Sequence, residues 1–120
     1  PTLYKGETEV INPQIASKAN IDSLQMALVK VVTEGLGKPA QSEKVQVAGV
    51  SGGGQLSTDE DNSEGRVNTI YSVEYCGYFP AENPKYSIIV SMNKVGLPAS
   101  GNLMAGSVFK EIVNYIEATK

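Results

Sequence analysis

The chain has 120 residues, of which 41% are apolar, so it is long enough for one domain with a modest core and too short for two. Its 10 basic and 13 acidic residues give a net charge of -3, and the basic residues are scattered, which argues against a nucleic-acid groove. Histidine is absent and Cys76 is the only cysteine, which excludes a Ser-His-Asp triad, a Cys-His pair, a histidine- or thiolate-ligated metal site and an internal disulfide.

The given residues do not show the sequence pattern of a membrane span or of a signal peptide. No stretch reaches the roughly 18 consecutive apolar residues that a span requires, and the N-terminus lacks the apolar core of a secretion signal. We therefore expect the chain as given to be soluble. It begins at Pro1 without an initiator methionine, and residues 1–19 show no sustained period, so we expect an arm on a fragment of a longer protein.

The first regular pattern after this arm is helical. Apolar residues recur on one face at Ile21, Leu24, Leu28, Val31 and Val32. This stripe predicts a helix over residues 20–35, with Asn20 as the N-cap and the following glycines and proline as stop signals. The β-branched residues of 45–50 then predict a buried strand that runs into a cluster of glycines.

The second half of the chain predicts a hairpin and a closing helix. Residues 57–66 are acidic with almost no apolar side chain, which predicts a solvated loop. Alternation around a Pro-containing turn predicts an antiparallel hairpin over 67–93, and a final apolar stripe predicts a helix over 105–118. The order of elements indicates an α+β fold, in which an antiparallel sheet of three or more strands is covered by helices.

Two patterns resemble ligand sites but lack required residues. Asp59, Asp61 and Ser63 are spaced like calcium ligands, yet a calcium loop needs glycine at position six and glutamate at position twelve, where this chain has Glu64 and Ile70. The glycines of 52–54 are not followed by a Lys-Ser or Lys-Thr pair, so they do not form a phosphate loop. We expect no metal and no cofactor.

Two Ser-x-x-Lys sequences are candidates for an activated serine. Ser91 and Lys94 lie on a predicted strand, where side chains three apart point to opposite faces and cannot meet. Ser107 and Lys110 lie at the start of the final helix, where the serine is better explained as a helix cap. The sequence therefore offers no credible nucleophile.

Cys76 and the tyrosines of the hairpin have structural explanations. Cys76 stands beside a glycine at the end of an alternating strand, which predicts a small buried side chain. The tyrosines are expected to stabilise the sheet by cross-strand contacts rather than to form a ligand shelf; they are Tyr71, Tyr75, Tyr78 and Tyr86.

The segment Val47-Ala48-Gly49-Val50-Ser51-Gly52-Gly53-Gly54-Gln55 resembles the third active-site motif of the penicillin-binding protein transpeptidases. In that family a buried strand reads Val-Ala-Gly-Lys-Thr-Gly-Thr-Ala-Gln. The helix end at 31–37, the hairpin stretch at 76–90 and the closing helix at 108–112 are similar to family elements in the same order. The resemblance covers most of the chain from about Asn20, and is closest to the class B, division or elongation type of enzyme.

The resemblance implies a partial penicillin-binding transpeptidase fold and a role in peptidoglycan cross-linking. The family transfers an acyl group from a stem peptide through a serine, and penicillin mimics that peptide. It implies substrate-binding roles for Ser51, Gly52 and Gly53, in a degenerate motif whose first position is Val50 instead of lysine. Valine supplies no cation for proton transfer or carboxylate binding. In the family, the Ser-x-x-Lys motif with the nucleophile comes well before this strand, and no such motif precedes the strand in this chain. We therefore expect no catalytic residue and no activity of this chain alone.

The resemblance also implies partners and a location. We expect the chain to meet a stem peptide or β-lactam only together with the N-terminal part of the same transpeptidase domain, in the periplasm and on a parent anchored in the inner membrane. Without the N-terminal part of the domain, the surface of this chain that packs against that part is exposed to solvent. We therefore expect the isolated chain to self-associate or to be only marginally stable. The alternative is a non-catalytic module that binds a peptide or partner chain along the sheet edge at Val45–Val50.

Overall fold

The computed structural model describes residues 6, 8–61 and 66–120, and the side chains of these residues outside 58–68. The elements are helix α1 (Lys18–Thr33), a short 3-10 helix (Lys38–Ala40), strands β1 (Ala48–Asp61), β2 (Arg66–Phe79) and β3 (Tyr86–Val95), a π-helix (Gly101–Ala105) and helix α2 (Gly106–Ala118). Residues 8–17 form neither helix nor strand.

Within the described residues, three strands form an antiparallel sheet in the order β1-β2-β3. The register places Gly52 of β1 opposite Glu74 of β2, and Glu74 opposite Ser91 of β3. The predicted hairpin is thus β2 and β3, joined by a turn that begins with a cis peptide bond at Phe79-Pro80. The predicted α+β class, with an antiparallel sheet and covering helices, is confirmed.

Strand β1 differs from the prediction at both ends. It starts at Ala48 rather than residue 45, and it runs through the glycines and the acidic residues to Asp61, where a solvated loop was predicted. Pairing with β2 explains the extension, because the ladder hydrogen bonds between the two strands offset the weak intrinsic strand preference of this segment. Residues 62–65, including Ser63 of the calcium-like pattern, lie outside the described residues.

The core lies between the sheet and helices α1 and α2. Its largest fully buried side chains are Tyr75, Phe79, Phe109, Val32, Val47 and Val113. The rings of Tyr75 and Phe109 lie 5.1 Å apart at an interplanar angle of 53°, which is a tilted arrangement favourable for aromatic pairs. Phe79 stacks on Tyr86 across the hairpin, also at 5.1 Å, so one of the predicted cross-strand tyrosine contacts is present.

The sheet has a covered face and an open face. The covered face carries Val73, Tyr75, Gly77 and Phe79, which are all buried. Tyr75 and Phe79 belong to one core cluster with Val32 of α1 and Phe109 of α2. The open face carries the residues between them, and there Val50, Cys76 and Ile89 stand in one row across the three strands. The prediction that Cys76 is buried is wrong, because Cys76 follows Tyr75 on the strand and therefore points to the opposite, exposed face.

The helix caps also differ from the sequence prediction. The α1 N-cap is Ser17, whose hydroxyl accepts a hydrogen bond from the backbone N–H of Asn20 at 3.3 Å, so Asn20 lies inside the helix. Ser107 is not the cap of α2, because α2 continues directly from the π-helix and the Ser107 hydroxyl donates to the carbonyl of Leu103. Ser100 caps the π-helix instead.

In the part of the chain that the structure describes, no helix combines the length and apolar character needed to cross a membrane. The same residues contain no group of three or more His, Cys, Asp or Glu side chains that could hold a metal ion.

Candidate functional site

The predicted substrate-binding residues lie in the first half of β1. Val50, Ser51, Gly52 and Gly53 pair in sequence with the β2 residues from Cys76 back to Val73. Because β1 is one of the two edge strands of the described sheet, its second edge is not paired with any described strand. An unpaired edge presents backbone N–H and C=O groups to which an extended peptide can add as a further strand.

The alternation of β1 divides these residues between the two faces of the sheet. Val50 and Gly52 belong to the open face, and the Val50 side chain is 46% exposed there. Ser51 belongs to the covered face with its pairing partner Tyr75, and it is half-buried. The structure therefore brings Val50 and Gly52 to one surface and turns the Ser51 side chain away from it.

Gly53 has a backbone conformation that a side chain does not tolerate. Its φ is 158°, and a Cβ built on it would lie 2.6 Å from the carbonyl oxygen of Ser72. Glycine is the residue that such a conformation requires. The family motif that this strand resembles has its second threonine at this position. A threonine side chain at position 53 would force the strand backbone to move.

The π-helix lies directly behind the motif strand at Gly101. A Cβ on Gly101 would lie 2.5 Å from the carbonyl oxygen of Glu74, 2.7 Å from that of Gly52 and 3.0 Å from the Cβ of Ser51. The approach is therefore possible only for glycine, and it brings the backbone of the π-helix against both strands at the motif. No local pattern in the sequence indicated this contact.

Glu74 is the second residue of the site that sequence reasoning missed. It is half-buried on the open face, and its Oε1 accepts hydrogen bonds from the hydroxyls of Ser72 at 2.8 Å and Ser91 at 3.2 Å. Its Oε2 faces Gly52, where a Cβ would be 3.6 Å away. The alternation of β2 was the available signal, since it places Glu74 on the same face as Cys76.

A cavity of about 350 Å³ lies beside the glycines of the motif. It is bounded by the backbone of Gly52–Gly54, by Tyr71 on β2 and by the segment containing Leu97 and Ala99. The cavity therefore lies between the glycines of β1, the adjacent part of β2 and the segment that leads into the π-helix.

The two Ser-x-x-Lys sequences do not form serine–lysine pairs. Ser91 donates its hydroxyl to Glu74, whereas Lys94 donates from Nζ to the carbonyl of Gly96 at 3.4 Å. The Ser107 hydroxyl is bonded to Leu103 within its own helical turn. Neither serine has a lysine amine placed as a base among the described contacts.

The chain is similar to known transpeptidase domains. The family model for the penicillin binding protein transpeptidase domain matches residues 2–114. Among solved structures, the chain is similar to the transpeptidase domain of FtsI4 D,D-transpeptidase from Legionella pneumophila, with 28% sequence identity and a TM-score of 0.63. The match covers 87% of this chain but 37% of that domain. No curated protein matches. The chain therefore belongs to the penicillin-binding protein transpeptidase domain family.

Proposed function

We propose that the chain is the C-terminal portion of a penicillin-binding protein transpeptidase domain, forms one wall of its penicillin- and peptide-binding cleft, and is inactive alone. Family membership supports a role in peptidoglycan cross-linking and cell-wall synthesis. The chain spans little more than a third of the length of the matched domain, so other parts of such a domain have to supply the remaining wall.

The observation that carries the proposal is the position of the motif at an open strand edge. Ser51, Gly52 and Gly53 are proposed to bind the stem peptide or β-lactam, with their backbone groups available along β1. A backbone N–H at Gly53 would serve as an oxyanion donor. Val50 occupies the position of the motif lysine and has no charge to attract a carboxylate, so the motif is degenerate in this chain.

The proposed inactivity follows from the missing nucleophile. An acyl-transfer serine requires a base within hydrogen-bond reach. Ser91 and Ser107 donate to Glu74 and Leu103 instead of facing a lysine amine. The acyl-enzyme would therefore form only on a serine outside this chain.

The proposal extends to location and partners. We propose that the chain is part of a periplasmic domain of a membrane-anchored parent, where it acts with the N-terminal part of the same transpeptidase domain; family membership supports this proposal. In isolation we expect self-association or marginal stability, because apolar side chains such as Ile89 on the sheet and Tyr115 on α2 are exposed. Sedimentation showing a stable monomer with a sharp thermal transition would contradict this part.

The intact mass of the purified chain, measured before and after incubation with excess penicillin, tests the proposal. The expected result is no gain in mass. A stoichiometric adduct on Ser51 or Ser107 would overturn it, because this short chain would then be an acylating enzyme itself. Replacing the adducted serine with alanine is the matched control, since it must abolish a true acylation.

The unpaired edge of β1 also supports a second candidate, a non-catalytic module that captures a peptide or partner strand at Val45–Val50. The structure favours only part of that segment, because β1 begins at Ala48 and Val47 is buried. A peptide that binds with the same affinity after Gly52→Pro, which changes the edge backbone, would count against strand addition.

A further inference from the structure

The two edges of the sheet differ in how regularly a further strand can pair with them. On β1, a register shift between Gln55 and Ser57 marks a bulge, and Gly53 has a φ of 158°. On β3, the register with β2 runs without a break from Tyr86 to Val95. Bulges limit pairing with another chain, whereas a long and regular edge strand favours it. The outer edge of β3, with which no described strand pairs, is therefore the better template over its whole length.

The sequence of β3 lacks the residues that usually protect an edge strand. It contains no proline and no glycine, and Lys94 is its one charged residue. Natural edge strands are protected by proline, by charges or by bulges. Segments of high β-propensity and low charge, such as Tyr86–Met92, pair readily with copies of themselves. A second copy of this chain therefore fits this edge.

The backbone groups of β3 that point away from β2 belong to its odd-numbered residues. The N–H of Gly96 donates to the carbonyl of Thr69 at 2.8 Å, and these two residues continue the register of the strand pair. Hydrogen bonds alternate along an antiparallel ladder, so the even-numbered residues of β3 bond to β2. The odd-numbered residues from Ser87 to Val95 then direct their N–H and C=O groups to the outer edge. A second copy has to bond to these residues.

A two-fold axis at Val90 satisfies the outward groups of both copies. With two antiparallel β3 strands in this register, Ile89 lies opposite Ser91 of the second copy, and Ser87 lies opposite Asn93 of the second copy. These are all outward-directed residues, so each facing pair exchanges hydrogen bonds. Odd-numbered residues also share the open face, so the two sheets continue each other without reversing their faces.

The same register joins apolar side chains and separates the charges. Ile88, Val90 and Met92 are partly buried against the core on the covered face. With the axis at Val90, Ile88 lies opposite Met92 of the second copy, so one apolar row continues through both sheets. Lys94 lies opposite Tyr86 of the second copy, whose ring can accept a cation. The two Lys94 side chains then lie at opposite ends of the interface.

Charge disfavours the other exposed surfaces as a contact between copies. The apolar stripe of α2 contains Val108, Ile112 and Tyr115, but Glu111 lines it as well. A symmetric pair of these stripes would bring two Glu111 carboxylates together, which is unfavourable. On the open face of the sheet, Glu74 would meet Glu74 of the second copy in the same way. The β3 strand has no acidic side chain.

We propose that this chain by itself forms a two-fold symmetric dimer, in which the β3 strands of two copies pair antiparallel around Val90. Two three-stranded sheets then form one continuous sheet. The inference rests on the proposed function, because it names the surface that produces the self-association expected there. The dimer leaves β1 and its motif residues at the two outer edges, so peptide binding at Ser51–Gly53 stays possible in both copies.

Cysteine trapping tests the register. Cys76 is first changed to serine, so that an introduced cysteine is the sole thiol. Val90→Cys then places two thiols at the axis, where facing residues without mutual hydrogen bonds have Cα atoms about 4.5 Å apart, within the range of a disulfide. Met92→Cys is the matched control, because position 92 lies on the same face of β3 but away from the axis. Under mild oxidation we expect at least tenfold more linked dimer from Val90→Cys.

Sedimentation equilibrium measures the dimer without a cross-link. A contact of one strand pair is small, so the dimer should be reversible and should form as the concentration rises. Ser87→Pro removes an N–H at the outer edge and leaves the hydrogen bonds to β2 in place. Ser87→Ala keeps that N–H and is the matched control. We expect proline to raise the dissociation constant at least tenfold and alanine to change it less than threefold, with circular dichroism checking that both variants fold.

The outcomes separate the inference from the rest of the proposed function. A chain that stays monomeric at every concentration overturns both the dimer and the expected self-association, whereas the missing nucleophile is tested independently by the mass measurement with penicillin. A dimer in which Val90→Cys and Met92→Cys link equally overturns the β3 contact alone. A dimer that Ser87→Pro leaves unchanged does the same. If Ser87→Pro does not fold, the trapping experiment decides by itself.

Discussion

The two faces of the sheet differ in how far this chain completes them. On the covered face, Tyr75 and Phe79 are fully buried in one cluster with Phe109 of α2. The packing of the sheet against the helices is therefore complete within this chain. On the open face, Val50 and Ile89 remain exposed beside Glu74. The difference indicates that the covered face stabilises the fold, whereas the open face and its edge are available for binding.

The largest expected effect contrasts Phe109→Ala with Ile89→Ala. Phe109 is fully buried against Tyr75, so its truncation should cost about 3–5 kcal/mol of unfolding free energy through lost burial and the cavity left behind. Ile89 is largely exposed, so its truncation should cost less than about 0.5 kcal/mol. Urea unfolding of both variants measures this. Equal losses would mean that the open face is already covered in the free chain.

The next effect concerns the motif strand and contrasts Gly53→Thr with Gly54→Thr. Gly53 has a φ of 158° and its Cβ would meet Ser72, so threonine there should destabilise the chain by about 2 kcal/mol. Gly54 has nothing within 4 Å of a built Cβ, so the same change should alter stability by less than about 0.5 kcal/mol. Thermal unfolding of both variants provides the measurement. A stable Gly53→Thr chain would show that the strand accepts the family's threonine.

A smaller effect on the covered face is expected from Tyr75→Phe. The Tyr75 hydroxyl is buried and has no hydrogen-bond partner among the described residues, so its removal should stabilise the chain by about 1 kcal/mol. Burial raises the pKa of Tyr75 from 10.0 to about 12. Between these two pH values the unfolded chain releases the phenolic proton while the folded chain keeps it, so stability falls as the pH rises through that window.

The pH dependence provides the check on this explanation. Urea unfolding is measured at several values between pH 9 and pH 12 for the native sequence and for Tyr75→Phe. The variant should lose less stability over this range, because phenylalanine has no proton to release. Parallel pH profiles would show that Tyr75 ionises equally easily in the folded and unfolded states.

The smallest effect tests the chemistry of the open face through Val50→Lys. Val50 and Glu74 lie on the same face at diagonal positions of adjacent strands, within reach of a lysine side chain. The new pair should add about 0.5 kcal/mol of coupling, which a double-mutant cycle with Glu74→Gln isolates. Salt at 1 M should weaken the coupling. Additive effects of the two changes would mean that Glu74 is not accessible to a cation at position 50.

The sequence was sufficient for features that depend on local period and residue type. The spacing of Val108, Phe109 and Ile112 predicted α2, and the alternation around Tyr75 and Tyr86 predicted the hairpin, because burying one face imposes those periods. The motif resemblance at Val47–Gln55 also identified the family, because a motif is a property of consecutive residues.

The sequence failed where a residue's role depends on partners distant along the chain. The extent of β1 was missed because cross-strand pairing, rather than the local preference of glycines and acids, holds it to Asp61. Cys76 was predicted to be buried from its residue type, but the register of β2 turned it to the open face. The close approach of Gly101 to Gly52, 49 residues earlier, and to Glu74, 27 residues earlier, left no local signal.

The sequence by itself therefore determined the class of fold, the family and the order of elements, because helical and strand periods and a linear motif are written in neighbouring residues. Only the tertiary structure decided which motif side chains share a surface and placed Glu74 beside Gly52. The physical reason is that the pairing register decides which side chains of neighbouring strands lie side by side on one face of the sheet. That register is fixed by packing against Phe109 and the π-helix.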